Sequence, residues 1–231
     1  MEEPVIKKLV GYFNKYTEHP KDVEYFTEFP APLMSLMHSA HFTNINSTIA
    51  FFGPMLYFLT RAFRCEKVLE IGFAQGYSSW YLANAVNDNA TRFQYKNSMY
   101  YGIDIKDNEP FREVMKLNKL PHNLTLMDSI NLTPDTFKDI QFDLIFQDGC
   151  HDTEHVMHEL ATLWPQLKGA GKGYWIFHDC FGPSEEAFNK LIPLLKEENV
   201  EWIRLDDDVY GMAILRKMEG YDYNNKHWQG G

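Results

Sequence analysis

Residues 68–78, Val-Leu-Glu-Ile-Gly-Phe-Ala-Gln-Gly-Tyr-Ser, limit what this chain can fold into more than any other stretch. A β-branched, apolar run carrying Glu70 stops at Gly72, a second glycine follows at Gly76, and an amphipathic segment runs from Tyr77 to Val86. The order is strand, glycine turn, helix, which lays the polar chain of a ligand across a helix N-terminus. Gly72 can take dihedrals closed to other residues, and Gly76 lets the backbone approach a ligand closely. Glu70, at the C-terminal end of the strand, is placed to bind a cationic amine or a hydroxyl. Glycine is also common in ordinary βα turns, so this stretch alone leaves a plain connection open.

From residue 67 onward, apolar runs alternate with helical stretches, the pattern of a parallel sheet with crossover helices. Strands are expected at 67–71, 100–105, 124–128, 142–147, 173–178, 201–205 and 210–215. The last two should pair as a hairpin through residues 206–209. Residues 1–62 read as mostly helical, punctuated by prolines at 20, 30, 32 and 54. The polar residues 87–99 read as an insertion loop. With 231 residues, the chain fits one α/β domain. It divides into a helical cap (1–62), a core (63–217) and a tail or flap (218–231).

At 45% hydrophobic and 15% aromatic residues, the chain can bury a substantial core. A net charge of −10 with no Lys/Arg-rich block disfavours a nucleic-acid partner. The first residues, Met-Glu-Glu-Pro-Val-Ile-Lys-Lys, lack the apolar core of a signal peptide. The most apolar stretch, Ile49 to Phe63, is too short and interrupted to span a bilayer. Three cysteines do not suggest a disulfide framework. The expectation is a reduced, cytoplasmic protein with no membrane segment.

In an open α/β sheet, ligands bind outside the carboxyl ends of the strands, and Glu70, Asp104 and Asp128 stand at three consecutive expected ends. The acid-x-Gly-x-x-x-Gly pattern resembles motif I of class I S-adenosylmethionine (SAM) dependent methyltransferases. The continuation through Gly76, Tyr77 and Ser78 resembles the branch of catechol-type O-methyltransferases and their sugar-modifying relatives. Ala74 departs from the middle glycine of many methyltransferases, but the catechol-type branch tolerates a larger residue there. The resemblance implies that Asp104, followed by Ile105, takes the ribose hydroxyls, which a carboxylate can accept in bidentate fashion. It implies that Asp128 and Ser129 face adenine. The long interval from Glu70 to Asp104 leaves a nicotinamide-dependent reductase as an alternative.

Phe142-Asp-Leu-Ile-Phe-Gln-Asp-Gly-Cys-His-Asp-Thr-Glu-His-Val is the second informative block. It resembles the signature of methyltransferases related to cephalosporin hydroxylases and sugar O-methyltransferases, with Thr153 in place of the usual tyrosine. Leu167-Lys-Gly-Ala-Gly-Lys-Gly-Tyr-Trp-Ile-Phe-His-Asp resembles a third motif of that family. Asp148 and Asp179 end neighbouring expected strands, so their carboxylates can converge on one cation. Hard oxygen ligands suit Mg²⁺, Ca²⁺ or Mn²⁺. The related patterns leave the third ligand open between His178 and Cys180. Without a metal, the two aspartates would serve as helix caps or substrate hydrogen-bonders. His151 stands three residues after Asp148, where the catechol-type branch has its general base. A three-histidine face of His151, His155 and His158, and a zinc site of Cys150, His151, His178 and Cys180, are further alternatives.

The sequence thus leads to a Rossmann-like, seven-stranded methyltransferase sheet, mostly parallel with the last strand antiparallel, behind an N-terminal helical cap. The expected activity is SAM-dependent, divalent-cation-dependent (Mg²⁺ or Mn²⁺) O-methylation of a small sugar, phenolic or polyketide hydroxyl, with Asp148 and His151 catalytic. Family analogy adds a homodimer. A non-catalytic SAM-fold subunit, and an enzyme running other chemistry in the same site, are the competing readings.

Overall fold

The computed structural model describes residues 49–197, 199–205 and 210–220. The expected cap before residue 49, the tail from residue 221 and the 206–209 connection lie outside them. The chain begins with helix α1 (Ile49–Ala62), strand β1 (Lys67–Ile71), α2 (Tyr77–Phe93), β2 (Met99–Asp104), α3 (Glu109–Leu117) and β3 (His122–Leu126). It continues with β4 (Leu144–Gln147), α4 (Thr153–Leu163), β5 (Gly173–His178), α5 (Glu185–Glu197), β6 (Val200–Leu205) and β7 (Met212–Lys217). Short 3₁₀ turns occupy Ser129–Asn131 and Trp164–Gln166.

All seven strands form one sheet in the order β3-β2-β1-β4-β5-β7-β6, and only β7 runs antiparallel to its neighbours. The expected closing hairpin is β6 and β7, and β7 inserts between β5 and β6. The strand order reverses between β1 and β4, which opens a crevice at their C-terminal ends.

Alternation along each strand divides the core into two layers. Val68, Tyr100, Leu144, Phe146, Ile176 and Ile214 face α1, α2 and α3, where Leu56, Leu82 and Phe111 pack. Leu69, Ile103, Ile145, Trp175, Phe177 and Leu215 face α4 and α5, where Val156, Leu163, Phe188 and Leu191 pack. Covering both faces explains why β4 and β5 are buried throughout and read as continuous apolar runs. It also puts Glu70 on the α2 face, two residues from Val68.

The expected insertion loop at 87–99 is corrected: α2 runs on to Phe93, and only residues 94–98 connect it to β2. The polar residues there make tertiary contacts. Asn89 is buried, and its Nδ2 donates to the carbonyls of Thr60 (3.0 Å) and Cys65 (2.9 Å) at the end of α1. Asp88 accepts a 2.5 Å hydrogen bond from the Tyr57 hydroxyl of α1. Pro54, expected to punctuate the cap, lies inside α1, where packing of the buried Leu56 and Leu59 outweighs its cost to the helix. β3 starts two residues earlier than expected because pairing with β2, from Tyr100↔His122 to Asp104↔Leu126, sets its register. Its polar composition gives only a weak strand signal. Among the described residues, no helix is long and apolar enough to cross a membrane.

Asn89→Ala should lower stability by about 1–3 kcal/mol, because two buried carbonyls lose their donor. Urea unfolding monitored by circular dichroism checks this; an unchanged midpoint would mean that α1 is not held to α2 through Asn89.

Candidate functional site

Three strand ends are tied together at the crevice. The Gly72 N–H donates to the Ile103 carbonyl (2.8 Å), and the Asp148 N–H donates to the Ile71 carbonyl (2.9 Å). Gly72 has φ +89°, and a Cβ there would overlap the Asp148 carbonyl. Gly76, with φ +81°, packs so closely on the Phe111 ring that a Cβ would overlap it. Both glycines are thus required by the turn itself. Gly76 caps α2, whose first turn has no acidic residue and no side-chain cap bond. The positive end of the helix dipole at this N-terminus favours an anion.

Glu70 is fully buried beneath this turn. Its carboxylate accepts hydrogen bonds from the hydroxyls of Ser78, Ser79 (2.5 Å) and Tyr100. It faces the underside of the turn, where three hydroxyls occupy it, not a ligand's amine as its strand-end position suggested. Burial raises its carboxyl from 4.5 to about 7 against the pull of the three hydrogen bonds, and the Asp148 charge adds to the rise. Ser78 is buried with Glu70, so its hydroxyl serves the turn, and Tyr77 opens α2 with its ring 5.5 Å from that of Tyr81. Ser79 and Tyr100 escaped the sequence reading. Only the pairing of α2 against β2 brings them to Glu70.

Asp104 is the last residue of β2. Its Oδ2 accepts from the Ala74 N–H (2.8 Å) and its Oδ1 from the Lys106 N–H (2.9 Å). Ala74 sits at φ +40° and its carbonyl accepts from Asn108 Nδ2 (2.9 Å), so the residue in the middle-glycine position is clamped from both sides. Ile105 is 65% exposed beside Asp104, an apolar surface at the crevice edge. Asp128 lies two residues beyond β3 and caps the 3₁₀ turn through the Ile130 N–H (3.3 Å), with Ser129 nearly buried behind it.

Across the switch point, Asp148, His178 and Asp179 bring one ligand atom each within 4.8 Å of one another. His178 Nδ1 lies 2.9 Å from Asp148 Oδ1 and 3.0 Å from Asp179 Oδ1. Burial opposes charge on His178, but hydrogen bonding and attraction to the two carboxylates outweigh it and hold the imidazolium up to about 10. Burial pushes the Asp148 carboxyl up, against the pull of His178. Asp179 adopts a left-handed φ of +60°, which turns its side chain back toward the cluster. Its Oδ1 is buried without an aligned hydrogen bond. Once a cation displaces the His178 proton, the two carboxylates and the imidazole form a donor set that fits a divalent ion. Cys180, the other third-ligand candidate, is buried with its Sγ 3.5 Å from the Phe177 carbonyl, which turns it away.

His151 is fixed at both ring nitrogens. Its Nδ1 lies 3.0 Å from Ser184 Oγ and its Nε2 3.4 Å from Asp179 Oδ2. Ser184, at the start of α5, also donates its N–H to the Asp179 carbonyl (3.1 Å). No local signal marks Ser184; it reaches the site from 33 residues away. The three-histidine face is overturned. His155 turns to Asp128 (3.4 Å) and His158 to the Leu132 carbonyl (2.9 Å), away from His151. The alternative zinc set of Cys150, His151, His178 and Cys180 does not converge: Cys150 groups with Asp152 and His155, and His178 with Asp148 and Asp179.

Residues 69–180 match a family model described as a methyltransferase domain. Among solved structures, the chain is similar to the O-methyltransferase TomG from Streptomyces achromogenes, involved in tomaymycin synthesis and solved in complex with SAM. The TM-score is 0.64 at 15% identity, covering 83% of this chain and 91% of that one. A methyltransferase from Geobacter sulfurreducens gives 0.65 at 17% identity, covering 94% and 99%. PaMTH1 from Podospora anserina, bound to S-adenosylhomocysteine (SAH), gives 0.59 at 17%, covering 94% and 98%. No protein of curated function matches the sequence. The fold is that of the class I SAM-dependent methyltransferases.

Between about pH 4.5 and 7 the folded state holds a proton on Glu70 that the unfolded chain has released. Its contribution to stability is therefore full below 4.5 and lost as pH rises through 7. Glu70→Gln should narrow the difference in unfolding free energy between about pH 5 and about pH 7.5 relative to wild type. Urea titrations at both pH values decide; an unchanged difference would show that Glu70 does not titrate in that window.

Proposed function

We propose that this protein is a SAM-dependent methyltransferase that methylates a hydroxyl of a small molecule with help from a divalent cation. The observation that carries the reading is the meeting, at one switch point, of the Gly72–Gly76 turn with the Asp148–His178–Asp179 cluster and His151. The similarity to O-methyltransferases, one solved with SAM, supports it. The block from Phe142 to Val156 and the His178-Asp179 pair favour the catechol-type and cephalosporin-hydroxylase-like branch.

When bound, SAM supplies an electrophilic methyl group, and the cation supplies charge that lowers the pKa of a substrate hydroxyl. The N-terminus of α2 would hold the carboxylate of the cofactor's amino acid. Asp104 keeps its backbone bonds to Ala74 and Lys106 and offers its remaining lone pairs to the ribose diol. Ile105 would offer its exposed apolar surface to adenine, with Asp128 and Ser129 along its edge. Asp148 and Asp179 would hold the cation, joined by His178 once its proton has left to solvent. His151, oriented by Ser184 and Asp179, takes the hydroxyl proton. Glu70 acts from below: it fixes Ser78 and Ser79 and so the first turn of α2. Much of the rate comes from holding the hydroxyl in line with the methyl group.

Calorimetry with SAH tests the cofactor half. Wild type should bind, and Asp104→Asn should bind at least about tenfold more weakly, the loss of a charged hydrogen bond. Absence of SAH binding by the folded protein would overturn the reading. With catechol as acceptor and Mg²⁺ or Mn²⁺ present, His151→Ala should lower kcat by about 10²–10⁴ while SAH affinity holds. A matching loss of SAH affinity would make His151 a structural residue.

A further inference from the structure

A second group of metal-binding side chains lies outside that centre. Cys150, Asp152 and His155 place a thiol, a carboxylate oxygen and a ring nitrogen within 4.8 Å of one another. The Cys-x-Asp-x-x-His spacing sets all three on the approach and first turn of α4, where Asp152 stands at the N-cap without making a side-chain cap bond. Asp128, arriving from the loop after β3, brings its Oδ1 to 3.4 Å from His155 Nε2. Behind the group, Glu159 is fully buried, its carboxyl facing the Ser129 hydroxyl and the Gln147 side chain. Two carboxylates and a thiol thus lie around a single imidazole, a mixed oxygen, sulfur and nitrogen donor set of the kind that holds a cation.

We propose that Cys150, Asp152 and His155, with Asp128 moving in beside His155 as the fourth ligand, form a second cation site, for a borderline-soft divalent ion such as Zn²⁺. One sulfur, one nitrogen and two oxygens suit tetrahedral zinc better than Mg²⁺, which prefers six oxygens. No donor is shared with the Asp148 centre. On binding, the Cys150 S–H bond breaks, the sulfur bonds to the ion as thiolate, and the proton leaves to solvent. The ion ties the loop after β3 to the start of α4. On the methyltransferase reading, Asp128 borders adenine, so ion and cofactor compete for it, and zinc acts as an inhibitor.

Co²⁺ is the probe, because cobalt–thiolate ligation gives a near-ultraviolet charge-transfer band. Cys65 and Cys180 are buried and Cys150 is the partly exposed thiol, so a band from folded protein reports Cys150. Wild type and Asp148→Asn should both show the band. Cys150→Ser should abolish it, and His155→Gln or Asp152→Asn should weaken Co²⁺ binding at least about tenfold. No band in wild type, or one that survives Cys150→Ser, overturns the site. Saturating Zn²⁺ should weaken SAH binding severalfold in wild type and not in Cys150→Ser; equal SAH affinity with and without Zn²⁺ in wild type overturns the competition for Asp128. Failure of SAH to bind at all would overturn the methyltransferase reading, and the cobalt band would still decide the ion site.

Discussion

The contact of Gly72 with the Asp148 backbone is the constraint on which the site depends. β1 and β4 are neighbours at the point where strand order reverses, and their ends meet with no room for a Cβ at Gly72. The Ile71–Asp148 and Gly72–Ile103 backbone bonds lock three strand ends into one rim. From that rim, one chain continues through the turn into α2 and another through Asp148 toward α4. The helix N-terminus and the acidic cluster therefore both sit at this rim. A side chain at residue 72 would separate β1 from β4 before it touched any ligand.

Beneath the rim, the protein accepts a buried acid. Glu70 lies on the apolar face that also carries Val68 and Tyr100, where an unpaired carboxylate would be costly. Hydroxyls from α2 and β2 offset that cost and tie the two elements to β1. Across the crevice, His178 between Asp148 and Asp179 eases a related problem, since the buried imidazolium pairs with both carboxylates and offsets part of their charge. Each side of the crevice is thus held by a satisfied or charge-paired polar cluster that also sets geometry.

Much of the fold was legible because burial on both faces writes strands as apolar runs. β1 and β5 emerge with the bounds the sequence suggests. β3 did not, since an edge strand with exposed and half-buried positions has little apolar signal. Residues 87–93 misled for a related reason. Asn87, Asp88 and Asn89 look like a loop until Asn89 is seen to hold the end of α1 and Asp88 to accept from Tyr57. At the site, Asp104, Asp128, Asp148 and Asp179 are visible as acids at or just beyond strand ends. Ser79, Tyr100 and Ser184 are not, because their partners lie 9, 30 and 33 residues away.

By itself, the sequence determined the order of strands and helices, the glycine turn and the strand-end acids, because local spacing and side-chain chemistry carry that information. Only the tertiary structure decided where each acid points. Glu70 turned inward to three hydroxyls, Asp104 was clamped by Ala74 and Lys106, and His155 swung to Asp128, leaving His151 to Asp179 and Ser184. The reason is physical: a carboxylate or an imidazole takes its orientation from the donors and acceptors that strand register and helix packing bring to it.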